Sequence, residues 1–141
     1  MGTVIRPELS KKNKYYISRY RYYELKYHCL QYPEWVKELR EYNEALISTT
    51  SLIFQKREKF LEDKVSEIAI RKNSLERKIG QIVACCKESD PYLWEYLLLA
   101  VTEGVSWTWL STVKRIPCCK ETYYDRYRRF FYILSRNLPS L

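Results

Sequence analysis

Leu61, Val65, Ile68, Lys72, Leu75, Ile79, Ile82 and Cys86 are spaced alternately four and three residues apart in the middle of the chain. A heptad stripe of that kind keeps one face of an α-helix apolar over three to four repeats, and a strand could not use it, because strand side chains alternate every second residue. The flanks are rich in Glu, Lys and Arg, and Lys72 is the one polar residue in the stripe. One long helix, from about 52 to 87, follows. With only 3 Gly and 5 Pro in 141 residues, the rest of the chain has few breaks, and the expected class is all-α. The seam can be covered in two ways. It can pair two chains as a coiled coil, or the two N-terminal helices can fold back on it as a hairpin. A homodimer is expected, because the second helix has too few apolar positions to cover the whole seam alone.

Three regions result: a basic, Tyr-rich helical pair over 1–50, the long helix over 52–88, and a C-terminal region over 89–141. In the first, a helix from about Lys14 to Leu30 places Tyr16, Tyr20, Tyr23 and Tyr27 in one stripe. Tyr used for bulk on an amphipathic helix is the ordinary reading; a second nucleic-acid contact, with hydroxyls and Lys/Arg on phosphates, is the functional one. Pro33 suits the first turn of a second helix carrying Val36, Leu39 and Leu46, which is expected to stop near the polar run STTS at 48–51.

Beyond Lys87 the punctuation sharpens. Ser89 or Asp90 can cap a helix with Pro91 in its first turn, Leu93, Tyr96, Leu97 and Ala100 on its buried face, and Gly104 at its end. Ser106 caps a short helix, WTWLSTVKR, expected to bury Trp107, Leu110 and Val113. Pro117 then enforces a break, and a last helix begins near Lys120. On a helical wheel Tyr123, Tyr124, Tyr127, Phe130, Phe131 and Leu134 share one side, while Glu121, Thr122, Asp125, Arg126, Arg128 and Arg129 share the other. Short helix, turn, and a second helix full of Arg is the shape of a helix-turn-helix. In that pose Arg126 and Arg129 are the candidates for base edges, since Arg can grip guanine O6 and N7 with two bonds. Thr122 would contact a base or phosphate, and Lys114, Arg115, Lys120 and Arg128 would hold phosphates.

Charge distribution agrees, for residues 1–30 hold seven Lys/Arg against two Glu, and residues 111–141 seven against two acidic residues, within a net charge of +8. Basic ends point to a polyanion. YLLLAV is the longest uncharged apolar run, far short of the ~20 residues a bilayer span needs. The polar start MGTVIRPELSKKNK has no apolar signal region and no Ser or Thr at position 6, so neither secretion nor myristoylation is expected, and the chain should stay in the cytoplasm. Five Cys, two pairs of them adjacent, suit reduced thiols better than disulfides, and together with His28 they lack the spacing of a zinc site. Neither a nucleophile–base arrangement nor a Gly-rich phosphate loop is visible, so neither an enzyme nor a cofactor is expected.

The stretch VTEGVSWTWLSTVKRIPCCKETYYDRYRRFFYILS, 101–135, resembles the C-terminal part of the RinA/ArpU-type phage transcriptional activators and related small prophage proteins of low-GC Gram-positive bacteria, as does YYELKYHCLQYPEW nearer the start. Relatives tend to carry Ser or Gly where Cys119 stands. The resemblance implies a helix-turn-helix similar to sigma factor region four, in a late-gene activator acting in a bacterial host cell, with RNA polymerase as a further partner. The residues by themselves imply only a basic helix-turn-helix; with the resemblance, the expectation is a sequence-specific binder of double-stranded DNA that regulates transcription. Two other readings stand beside it: an interaction protein that inhibits a host nucleic-acid machine, and a DNA-packaging assembly factor.

Overall fold

Every element of the described chain is a helix: α1 (Arg19–Leu30), α2 (Tyr32–Lys56), α3 (Lys59–Ser89), α4 (Trp94–Glu103), α5 (Trp107–Thr112) and α6 (Lys120–Asn137). The computed structural model describes residues 11–56 and 59–139; the expectations for the MGTVIRPELS terminus lie outside them. The all-α class holds. Two units divide the chain, a hairpin, Tyr32–Gln81, and a head formed by Met1–Gln31 with Ile82–Leu141.

In the hairpin, α2 and α3 run antiparallel. Lys78 Nζ sits over the Trp35 ring at 5.4 Å, and two turns further along each helix the Tyr42 hydroxyl meets Arg71, raising the Arg pKa. Ile68 and Leu75 of the heptad stripe are buried within the single chain, as are Trp35 and Thr49 of α2. This is the intramolecular alternative, so the seam carries no argument for a two-chain coiled coil. Lys72 stays half-buried because its long stem lies along the seam while its ammonium reaches Glu76, 3.8 Å away on the next turn. The STTS run does not stop α2, which continues to Lys56. Ser and Thr are only weakly unfavourable in a helix, and packing of Thr49 outweighs that preference.

The head is built around α6. Tyr22, Leu25 and Cys29 of α1, Leu97, Ala100 and Val101 of α4, Leu110 of α5, and Tyr123, Phe130, Phe131 and Leu134 of α6 are all buried. Phe131 is the hub, with Tyr22 and Tyr127 each 5.0 Å away and Phe130 at 4.9 Å, all edge-on. The Tyr stripe of α1 is not its core face: Tyr20 is 82% exposed and Tyr27 63%. The buried face runs instead through Tyr22, Leu25 and Cys29, one step around the wheel. Arg21, off the stripe, ties α1 to the end of α6, its guanidinium donating to Ser135 O (3.2 Å) and to Leu138 O. Such a cation satisfies carbonyls that the end of a helix leaves unpaired.

Local punctuation is partly as expected. Asp90 Oδ1 accepts from the backbone N–H of Tyr92 (2.8 Å) and Leu93 (3.0 Å), but a turn through 91–93 intervenes and α4 begins only at Trp94. Ser89 remains in α3. Ser106 Oγ accepts from Trp109 N at 3.1 Å, capping α5 as expected. Val113 is 60% exposed rather than buried, because α5 ends at Thr112 and the chain turns away. Gly104 closes α4 at φ 68°, in the left-handed region. A Cβ there would meet only Leu30 Cδ2, at 3.8 Å, so the penalty for a side chain is conformational and not steric crowding. Gly104→Ala should therefore cost about 1–2 kcal/mol in urea unfolding followed by circular dichroism, with Gly104→Asn costing less.

Candidate nucleic-acid interface

The sequence places seven candidate contact residues after α5, and in the folded head the six cations among them separate into paired and unpaired. Arg126 is paired. Its Nε donates to Asp90 Oδ2 at 3.2 Å and its Nη1 to Asp125 Oδ2 at 3.1 Å. Beside it, the buried Ser89 hydroxyl donates to the Arg126 carbonyl at 2.7 Å. Arg126 therefore ties the middle of α6 to the α3–α4 connection. The wheel explains why: Arg126 lies seven residues before Ile133, on the same side of α6, and Ile133 is buried. With Arg126 31% exposed and Asp90 13%, a double-mutant cycle of Arg126→Met with Asp90→Asn should give a coupling of about 1 kcal/mol in thermal unfolding.

By contrast, among the described residues Lys114, Arg115, Lys120, Arg128 and Arg129 take part in no ion pair. Lys114, Arg115 and Lys120 are exposed around the α5–α6 turn. Lys114 Nζ stands 5.8 Å from the Trp109 ring and Lys120 Nζ 5.9 Å from the Tyr124 ring. Arg115 is the only non-glycine described with a positive φ, 53°. Its backbone lets the Ile116 N–H reach back to Leu110 O at 3.0 Å and reverses the chain after α5. Glycine adopts that conformation freely, whereas Arg does so at a cost of about 1–2 kcal/mol. A cation is held at this turn against its backbone preference.

Thr122 lies on the first turn of α6, where its hydroxyl and Cys119 Sγ are 3.2 Å apart. Cys119 sits at the N-cap with extended backbone but makes no side-chain cap bond. Hydrogen bonding from the Thr122 hydroxyl lowers its thiol below the ordinary cysteine range. The buried thiols go the other way: burial pushes Cys85 up to about 11 and Cys29 and Cys86 higher still. Among the described residues no three His, Cys, Asp or Glu side chains come together as a metal site, and no helix is long and apolar enough to cross a membrane.

Arg126, Arg128 and Arg129 of α6 do not share one face. Arg128 lies near Tyr124, whose pKa its charge lowers against the larger effect of burial. Arg129 instead lines an indentation with Tyr15, Glu88, Tyr132 and Arg136. There the Tyr15 and Tyr132 rings are 5.7 Å apart, with Lys14 Nζ 5.0 Å from the first and the Arg136 guanidinium 5.4 Å from the second. A further cleft of about 280 Å³ opens between α1, the α4–α5 connection and α6, lined by Lys26, Trp107, Lys120, Tyr123, Tyr124 and Tyr127 among others. Sequence reading does not place Lys26 at a site, since nothing local ties it to residues nearly a hundred positions away. Compared with known proteins, the chain matches no family model, no curated protein and no solved structure.

Proposed function

We propose that this protein is a sequence-specific binder of double-stranded DNA that regulates transcription, in the manner of a phage late-gene activator, with α5, the turn after it and α6 acting as a helix-turn-helix. The observation that carries the reading is Arg115: an exposed cation on a strained backbone, flanked by exposed Lys114 and Lys120. The left-handed backbone closes the turn, which any residue there must do, but the exposed guanidinium on it makes no ion pair among the described residues, and a glycine would close the turn at less cost. In this pose Lys114, Arg115 and Lys120 hold phosphates as α6 enters the major groove, Thr122 contacts the strand near the helix start, and Arg128 faces the duplex. Arg126 supports the helix from behind. The reading places the protein in the cytoplasm of a bacterial host, with RNA polymerase and a second copy of the chain as further partners; catalysis forms no part of it.

The decisive variant is Arg115→Gly. Relief of the left-handed backbone should leave stability unchanged or raise it by up to about 1 kcal/mol. Duplex affinity should fall, and the log–log salt slope should drop by about one unit, because one phosphate is no longer neutralised. Fluorescence anisotropy on labelled duplexes across a salt series measures the second effect, and urea unfolding the first. Equal affinity and an unchanged slope in Arg115→Gly would remove the turn from the interface.

A further inference from the structure

The cleft beside α6 has a chemistry that duplex binding does not use. Its wall is aromatic: the Trp107 and Tyr123 rings lie 5.3 Å apart at 36°, and Tyr124 packs edge-on against Tyr123 at 5.0 Å. Deeper in, the Tyr22 and Tyr127 hydroxyls share a hydrogen bond of 2.8 Å. Among the described residues, the charged side chains in the lining are Lys26 and Lys120, both cations and carried by different helices, and none is a carboxylate. Its volume of about 280 Å³ is near the lower end of the roughly 300–1,000 Å³ that small-molecule sites occupy. That is room for one nucleotide and far too little for a duplex.

We propose that this cleft binds a nucleoside monophosphate group, the base against Trp107 and Tyr124 and the phosphate between Lys26 and Lys120. Each part of the ligand answers a feature of the site. A flat base gains from stacking on rings without needing a particular sequence. A phosphate monoester carries close to two negative charges near neutral pH, so two ammonium groups suit it where one would serve a carboxylate. Keeping carboxylates out of the lining avoids repulsion of that dianion. This site stands apart from the duplex reading, sharing only Lys120 with it.

The same group can arrive as a free nucleotide or as the 5′-phosphorylated end of a single strand. Isothermal titration of the full chain with AMP, GMP, CMP and UMP should show saturable 1:1 binding, with adenosine and inorganic phosphate each at least tenfold weaker than AMP. Lys26→Ala and Trp107→Ala should each weaken binding about tenfold or more, and Lys26→Arg should retain it. A 5′-phosphorylated tetranucleotide binding at least tenfold tighter than the best monophosphate identifies the strand end as occupant; equal or weaker binding identifies the free nucleotide. Arg115→Gly should leave nucleotide binding intact, and Lys26→Ala should leave duplex binding intact, so either reading can fail without the other. No heat with any of the four monophosphates up to millimolar concentration would overturn the proposal. So would binding that Lys26→Ala, confirmed folded by circular dichroism, leaves unchanged.

Discussion

Phe131→Ala should destabilise the head by about 3–5 kcal/mol, the range of large-to-small changes at buried aromatic positions. Phe131 has no exposed surface, and its ring is shared by α1 and α6: Tyr22 comes from one, Tyr127 and Phe130 from the other. Truncation removes the buried area and also edge-on contacts that add about 0.5–1.5 kcal/mol per pair. The space cannot close easily, because the Tyr22–Tyr127 hydrogen bond and the Arg21 tie to Ser135 fix the two helices on either side of it. Against a typical domain stability of about 5–15 kcal/mol, the variant should unfold at much lower urea by tryptophan fluorescence. Phe131→Leu, which keeps more of the volume, should be clearly less destabilised. An Ala variant within about 1 kcal/mol of the parent would mean that α1 does not depend on this contact.

The helices were legible because their signals are local. The heptad stripe, Ser106 as a cap and Gly104 as a stop each act over a few residues, and each is where the spacing puts it. Where reading failed, a contact distant in sequence decided. The Tyr stripe of α1 has the right period for a core face, but Leu25 and Cys29 offer an equally regular one, and contact with α6 selects the second. The α2 terminus was misplaced because STTS is a weak breaker, and Thr49 is buried in the fold. At the candidate site, Lys114, Arg115, Lys120 and Thr122 are brought together around the turn by short-range geometry, which sequence reading captures. Arg126, a candidate for base edges, also pairs with Asp90, 36 positions away in the chain, a contact that no local pattern announces. Its spacing from Ile133 was a clue only to its side of α6, since residues seven apart share a helix face. The left-handed backbone of Arg115 has no sequence signal, as Arg is not a residue expected there.

Ile68→Asp should unfold the hairpin and not merely separate chains. Ile68 is 8% exposed within one chain and sits between Val65 and Lys72 on the covered face of α3. Replacing it removes a buried aliphatic side chain and leaves a carboxylate in apolar surroundings, so the combined cost is about 4 kcal/mol or more. The exposed neighbours Ile70 and Arg71 mark a surface on the same turn where a charge costs little, and Ile70→Asp is the matched control. Circular dichroism should show loss of helix in Ile68→Asp and nearly full helix in Ile70→Asp. The two ways of covering the seam separate on concentration. If α2 covers it within the chain, the unfolding midpoint of the parent is the same at one and at one hundred micromolar, because no association step is coupled to folding; a two-chain seam would move the midpoint upward with concentration. We expect no movement. An Ile68→Asp variant that keeps its helix while sedimenting at half the mass of the parent would return the seam to an intermolecular role.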